Sequence, residues 1–404
     1  MFWRRIAVAL IVLLTALVSF AGTANSAQAS PHGPLLPAPK EGPKVILSET
    51  SIDGPAIVAT YHPDTVLAWT GTDRLHHLNI MTSSDGLRYS NKHILPELSL
   101  WRPAVAFIDS GRGEPYGTIV LAWTGTDANH SLNVELIKTP DFTVTRKVTF
   151  WGETSFTAPA LATINGDVNS DIYLSWAGTD SAHTLNVEFI KTPDFTVTRK
   201  VTFWGETSFT APALATINSD LSSDVYLSWA GNDSARTVNV MHLTTNSDTT
   251  DKHTLWGWSS ISRPNLSTNP SSSSNGLILS WTGTNHRIYF ANSADGVSWS
   301  APSASPLSVQ TDWAPTMIGF YATALPNHWL AWAGNGTSPT GNVNVQYTQT
   351  YPGWGDTNST ASLDETAISS PALVYNGDGT TRQVLIGWAG TDQDNHLNIA
   401  VISV

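Results

Sequence analysis

A five-residue pattern, Leu-x-Trp-x-Gly, runs through this chain seven times. It stands at Leu67 to Gly71, Leu121 to Gly125, Leu174 to Gly178, Leu227 to Gly231, Leu279 to Gly283 and Leu330 to Gly334, and with Ile in first place at Ile386 to Gly390. Its tryptophans, Trp69, Trp123, Trp176, Trp229, Trp281, Trp332 and Trp388, are 54, 53, 53, 52, 51 and 56 residues apart. That period is too long for ankyrin or leucine-rich repeats and suits a four-stranded propeller blade. The expected fold is all-β: a seven-bladed β-propeller over 44–404, with about 52 residues per repeat. The stretch Ile137 to Asn165 recurs residue for residue at Ile190 to Asn218, which marks duplication of a whole blade.

Alternation and turn residues cut each repeat into four strands. The inner strand, A, starts at a proline in every repeat: Pro55, Pro103, Pro159, Pro212, Pro264, Pro315 and Pro371. A proline at the first residue of a strand removes no ladder hydrogen bond. Strand B is the Leu-x-Trp-x-Gly segment. Its small alternate residues (Ala68, Ala122, Ser175, Ser228, Ser280, Ala331, Gly387) let a neighbouring sheet approach closely. Strand C carries Leu78-Asn79-Ile80 and its copies, and strand D segments such as Lys92 to Leu95. The chain stops at Val404, just after strand C of the seventh repeat, so its outer strand must come from elsewhere. Lys44 to Ser51 aligns with Lys92 to Ser99 and is expected to supply it, pairing two edges that would otherwise be open.

Met1 to Arg5 precede an apolar run from Ile6 to Ala21 and a small-residue segment ending at Ala29. This reads as a signal peptide over 1–29, cleaved after Ala29, and implies a secreted, extracellular chain with no membrane insertion after cleavage. Residues 30–43, with prolines at 31, 34, 37, 39 and 43, are expected to be a Pro-rich leader. Losing Arg4 and Arg5 takes the net charge from −12 to −14, which disfavours nucleic acid as a partner. With no cysteine, burial and strand pairing must hold the fold.

In such a blade the D-to-A and B-to-C connections share one face. The B-to-C loops there repeat a polar set: Asp73 and His76, Asp127 and His130, Asp180 and His183, Asp233 and Arg236, and Asp392 and His396, each followed by an asparagine. The D-to-A loops are expected to add Trp101, Arg102, Trp151, Trp204, Trp256, Trp258, Arg263 and Trp313. Carboxylates, imidazoles and guanidinium groups meet sugar hydroxyls, while an indole face stacks on the apolar side of a pyranose. The competing reading of Gly-Thr-Asp is an Asx turn, in which the aspartate caps its own loop. The histidines lie on separate blades without metal-ligand spacing, so neither a metal site nor a cofactor is expected.

The other face carries Ser83-Ser84-Asp85-Gly86-Leu87-Arg88-Tyr89 and Ser293-Ala294-Asp295-Gly296-Val297-Ser298-Trp299. Both resemble the Asp-box (BNR repeat) of the sialidase-like propeller superfamily. The resemblance implies a structural role for Ser83, Asp85, Gly86, Tyr89, Ser293, Asp295, Gly296 and Trp299, in which the aspartate holds turn amides and the aromatic packs between strands. It also implies that a sialidase would carry Arg-Ile-Pro before strand A. Asp53, Trp101, Thr157, Thr210, Ser262, Trp313 and Ser369 occupy that arginine's position here, and Arg102 and Arg263 stand one residue closer to the proline. No catalytic set is therefore assigned. The expected function is non-catalytic, multivalent binding of an extracellular glycan or polysaccharide, since evenly repeated sites favour avidity over chemistry. The alternatives are a sialidase-like or other glycoside hydrolase, and a protein-interaction or cell-envelope scaffold. Nothing in the sequence decides an oligomeric state.

Overall fold

Seven four-stranded antiparallel sheets make up this computed structural model, and their second strands are buried on both faces. It describes residues 36–404 apart from 61–63, 109–116, 165–170, 193, 219–222, 244–250, 270–275, 323–324, 335–340, 352–354 and 378–381. The expected signal peptide and the first part of the leader lie outside the described residues.

β1 (Lys40–Thr50) opens the described chain. Blade one follows as β2 (Ala56–Ala59), β3 (Thr65–Thr70), β4 (His77–Ser83) and β5 (Ser90–Leu98). Blade two is β6 (Ala104–Ile108), β7 (Thr118–Thr124), β8 (Ser131–Lys138) and β9 (Thr143–Thr154). In blade three come β10 (Ala160–Ile164), β11 (Asp171–Ala177), β12 (Thr184–Lys191) and β13 (Thr196–Thr207). Blade four contains β14 (Ala213–Asn218), β15 (Ser223–Ala230), β16 (Thr237–Leu243) and β17 (Asp251–Ser259). Blade five has β18 (Asn265–Asn269), β19 (Gly276–Thr282), β20 (Ile288–Ser293) and a two-residue outer strand, β21 (Ser303–Ala304). Blade six is β22 (Thr316–Ala322), β23 (Leu325–Gly334), β24 (Gly341–Tyr351) and β25 (Gly355–Ala367). Blade seven has β26 (Ala372–Gly377), β27 (Arg382–Ala389) and β28 (His396–Ser403), with β1 as its outer strand.

The ring therefore closes as expected, by pairing the two ends of the chain. Lys44 sits opposite Ala400 and Ile46 opposite Asn398. The pairing also reaches Lys40 opposite Ser403, so β1 begins inside the stretch expected to be leader. β28 offers backbone partners out to Ser403, and unpaired edge groups recruit whatever chain lies alongside. The inner strands β2, β6, β10, β14, β18, β22 and β26 each lie beside the next, and β26 lies beside β2.

Each core cluster spans two blades, which is what holds neighbours together. Val66, Ala68, Leu78, Ile80 and Leu95 of blade one pack with Ile119, Leu121, Trp123, Ile137 and Phe142 of blade two. All seven strand-B tryptophans are buried. The small residues alternating with them do admit the adjacent blade: a Cβ on Gly387 would collide with Ile57 of blade one. Burial of this apolar surface, at roughly 25 cal/mol per Å², stabilises the ring without disulfides.

Candidate functional site

The repeated polar loop between strands B and C is a self-contained turn. Asp73 accepts from the Leu75 and His77 amides at 3.0 and 3.1 Å, and Asp127, Asp180 and Asp233 do the same at equivalent positions. In the last blade Asp392 accepts from the Asp394 and His396 amides. The asparagine closes the loop, as Asn79 Nδ2 donates to the His77 carbonyl at 2.8 Å. Partial burial opposes ionisation of these aspartates. Hydrogen bonds from the loop amides and neighbouring side chains outweigh it and hold all five below the usual Asp value. The Asx-turn reading thus accounts for their oxygens.

His76, His130, His183 and Arg236 take left-handed backbone conformations, with φ between 51° and 60°. In blade seven that place belongs to Asn395, at φ 56°, whereas His396 stands where His77 does in blade one. Both rings point Nδ1 at the loop aspartate, His77 at 2.8 Å from Asp73 and His396 at 2.6 Å from Asp392. The rings of His130 and His183 instead join an aromatic row along the upper face. His130 lies between Trp101 and Phe156 at 5.7 and 5.2 Å, and His183 is 4.6 Å from Phe209.

Trp151, Trp204 and Trp256 lie on the outer strands β9, β13 and β17, not in the D-to-A loops. A bulge puts them there: Leu132 pairs with Phe150 and Ser131 with Thr154, so Trp151-Gly152-Glu153 is surplus to the ladder. Gly152, Gly205 and Gly257 supply the positive φ of 97°, 94° and 85° that the bulge requires. The three indoles are thrown outward and are 78%, 85% and 81% exposed. By contrast Trp101 and Trp313 are half-buried; their carbonyls accept from Thr70 and Thr282 of the preceding blades at 2.7 and 2.6 Å.

Trp204 and Trp256 both line pockets where blades three and four meet, and the seams between blades have their own repeated chemistry. Lys252 of blade four reaches Glu206 of blade three at 2.6 Å while lying 5.5 Å above the buried Trp229 ring. Four further Lys–Glu pairs join neighbouring outer strands in the same way: Lys44 with Glu365, Lys92 with Glu49, Lys147 with Glu97 and Lys200 with Glu153. Every one of these lysines covers the strand-B tryptophan of its own blade. Between blades four and five, Trp258 stacks directly on Trp281 at 4.8 Å in place of the pair.

Between blades three and four the seam opens into a pocket of about 370 Å³ lined by Glu206, Asp233, Asn239, Lys252, Thr254 and Trp256, among others. Its Thr254 donates to Asn239 Oδ1 at 3.0 Å. The same residue types recur in the two preceding blades. Thr202 donates to Asn186 at 2.7 Å beside Trp204, and Thr149 to Asn133 at 2.6 Å beside Trp151. In blades one and seven the threonine's place is taken by Ile94 and Ile46, and no tryptophan follows. Exposed indole, threonine and asparagine therefore recur together in three successive blades.

No protein-family model and no curated protein matches this sequence. Solved structures do match. The BP39L lectin from Burkholderia pseudomallei superposes with a TM-score of 0.63 at 14% identity, covering 88% of this chain and 96% of that one. AofleA from Arthrobotrys oligospora superposes with a TM-score of 0.52 at 10% identity, over 83% and 94%. The likeness is one of fold.

On the opposite face, Asp85 Oδ1 accepts from the Leu87 and Arg88 amides at 2.9 and 2.7 Å and from Ser83. Asp295 repeats this with Val297, Ser298 and Ser293, and its amide hydrogen bonds hold it at about 2. Tyr89 and Trp299 pack against the core beside them. Arg102 and Arg263 project instead into the central channel, away from the rim. The lysine–glutamate girdle went unread in the sequence, although Lys44 and Glu49, Lys92 and Glu97, Lys147 and Glu153, and Lys200 and Glu206 keep an almost constant separation. Among the described residues no group of three His, Cys, Asp or Glu side chains is placed to hold a metal ion.

Proposed function

We propose that this chain is a secreted, non-catalytic propeller that binds extracellular glycans through the seams between its blades. The observation that carries the reading is the recurrence, in three neighbouring blades, of an exposed indole two residues after a threonine that donates to an asparagine, with a Lys–Glu pair joining each blade to the one before and an open pocket at one such seam. An indole face takes the apolar side of a pyranose, and the lysine and carboxylate take its hydroxyls. Three such seams on one rigid ring give avidity from individually weak contacts. The name of BP39L as a lectin is consistent with this use of the fold, and fold alone decides no function. Kinship with the sialidase-like superfamily is supported by the two Ser-x-Asp-Gly turns at Asp85 and Asp295. The aspartates a hydrolase would recruit on the upper face are occupied by their own loop amides, which supports binding over hydrolysis.

A glycan array probed with residues 30–404 and with the triple variant Trp151→Ala, Trp204→Ala and Trp256→Ala tests this. The expected outcome is saturable binding by the parent that the variant loses, with melting temperatures within about 2 °C because the indoles are exposed. Retained binding in the variant would show that the exposed indoles do not hold the glycan.

A further inference from the structure

One residue per blade, the one before the strand-A proline, surrounds the upper mouth of the central channel: Gly54, Arg102, Ala158, Ala211, Arg263, Ala314 and Ser370. Serine turns fix these positions. Ser99 Oγ and Ser260 Oγ donate to the Trp101 and Ser262 carbonyls at 3.0 and 2.8 Å, and so aim the next residue at the axis. Five of the seven are small, and the two exceptions are both arginines, three blades apart in a ring of seven and hence nearly opposite each other. Together with Asp53 they enclose a cavity of about 170 Å³.

The two arginines are held differently. Arg102 donates through Nη2 to the Ser370 carbonyl and lies 3.7 Å from Asp53 Oδ1, and Gly54 makes room for it: a Cβ there would meet the guanidinium. Arg263 makes no hydrogen bond or ion pair among the described residues, and its buried Nε has no partner. Burial and the facing Arg102 push the Arg263 pKa down to about 10, only partly offset by Asp53, which still leaves it charged at neutral pH. Two guanidinium groups against one carboxylate leave an excess positive charge at the centre of a chain whose net charge is −12. The terminal nitrogens of the half-buried Arg263 stay open to the cavity, and a bidentate carboxylate is the partner that guanidinium geometry fits best.

We infer that the upper mouth of the channel is a binding site for one small monovalent carboxylate, seated between Arg102 and Arg263. The cavity, at about 170 Å³, limits the ligand to a small one; one carboxylate balances the net charge of the two guanidinium groups and Asp53, whereas a dianion would leave an unbalanced negative charge and cost more to desolvate. The inference does not rest on the rim reading, because it uses different residues and a different ligand.

Titration calorimetry of the full mature chain with sodium lactate, sodium acetate and sodium sulfate, in a carboxylate-free buffer, tests it. Lactate is expected to bind at one site per chain, more tightly than sulfate, with affinity at least tenfold lower in Arg263→Gln. Ala211→Leu, which fills the cavity and leaves both guanidinium groups in place, is expected to lose binding as well, and it decides the matter should Arg263→Gln fail to fold. Three results would overturn the site: no lactate binding by the parent chain, undiminished binding in these variants, or sulfate binding as tight as lactate.

Discussion

Trp151, Trp204 and Trp256 differ from the seven strand-B tryptophans in the direction their backbone gives them, not in residue type. The strand-B indoles sit in register on a pleated strand and vanish between blades; the other three sit in a bulge and face water. Composition alone cannot separate the two groups, yet the Trp-Gly pairs at 151, 204 and 256 carry the signal, because glycine permits the bulge. A second residue-scale feature was invisible in the sequence. Glu135 and Glu188 are buried on strands β8 and β12, and burial together with the nearby Glu97 and Glu153 pushes both to about 7, despite Lys147 and Lys200. A carboxyl whose folded pKa is raised favours the folded state most at pH below its unfolded value and loses that contribution as pH rises through about 7. Glu188→Gln is therefore expected to leave the melting temperature nearly unchanged at pH 5 and to raise it by about 2–4 °C at pH 8. Paired thermal melts check this, and an equal shift at both pH values would contradict it.

At the scale of the element, strands were legible and their irregularities were not. Prolines before each inner strand and the Leu-x-Trp-x-Gly segments mark strands A and B correctly, since both signals are local. The bulge in strand D depends on register against strand C, a non-local property, and so Trp151, Trp204 and Trp256 were expected in loops. The same limit explains His396. Its distance from Asp392 is one residue longer than that of His76 from Asp73, which identifies it with His77, while the left-handed position passes to Asn395. Gly205 takes φ 94° with nothing within reach of an added Cβ, so its role is conformational and not steric. Gly205→Ala is expected to cost about 1 kcal/mol and to turn Trp204 away from its seam. Urea unfolding measures the first effect, and reduced glycan binding without loss of the fold measures the second.

Across the whole molecule, the ring closes through the strand that opens the described chain. β1 supplies the outer strand of blade seven, paired opposite β28. Lys44 of that strand also reaches Glu365 of blade six, so the closing strand carries its own link in the girdle. A chain beginning at Ser51 leaves β28 as an open edge. It is expected to melt at least about 10 °C lower and to aggregate on heating, as scanning calorimetry with light scattering would show. What the sequence could not convey at this scale is where neighbouring repeats meet, because each seam takes residues from two blades separated by roughly fifty positions. The three exposed indoles are proposed to bind sugar independently. Native mass spectrometry counts them directly, using a panel of methyl glycosides of glucose, galactose, mannose, fucose and N-acetylglucosamine. Up to three copies of one glycoside are expected per chain, with Trp151→Ala, Trp204→Ala and Trp256→Ala each lowering the maximum by one; a maximum that none of these substitutions changes, or no bound glycoside at all, would contradict sugar binding at the three indoles.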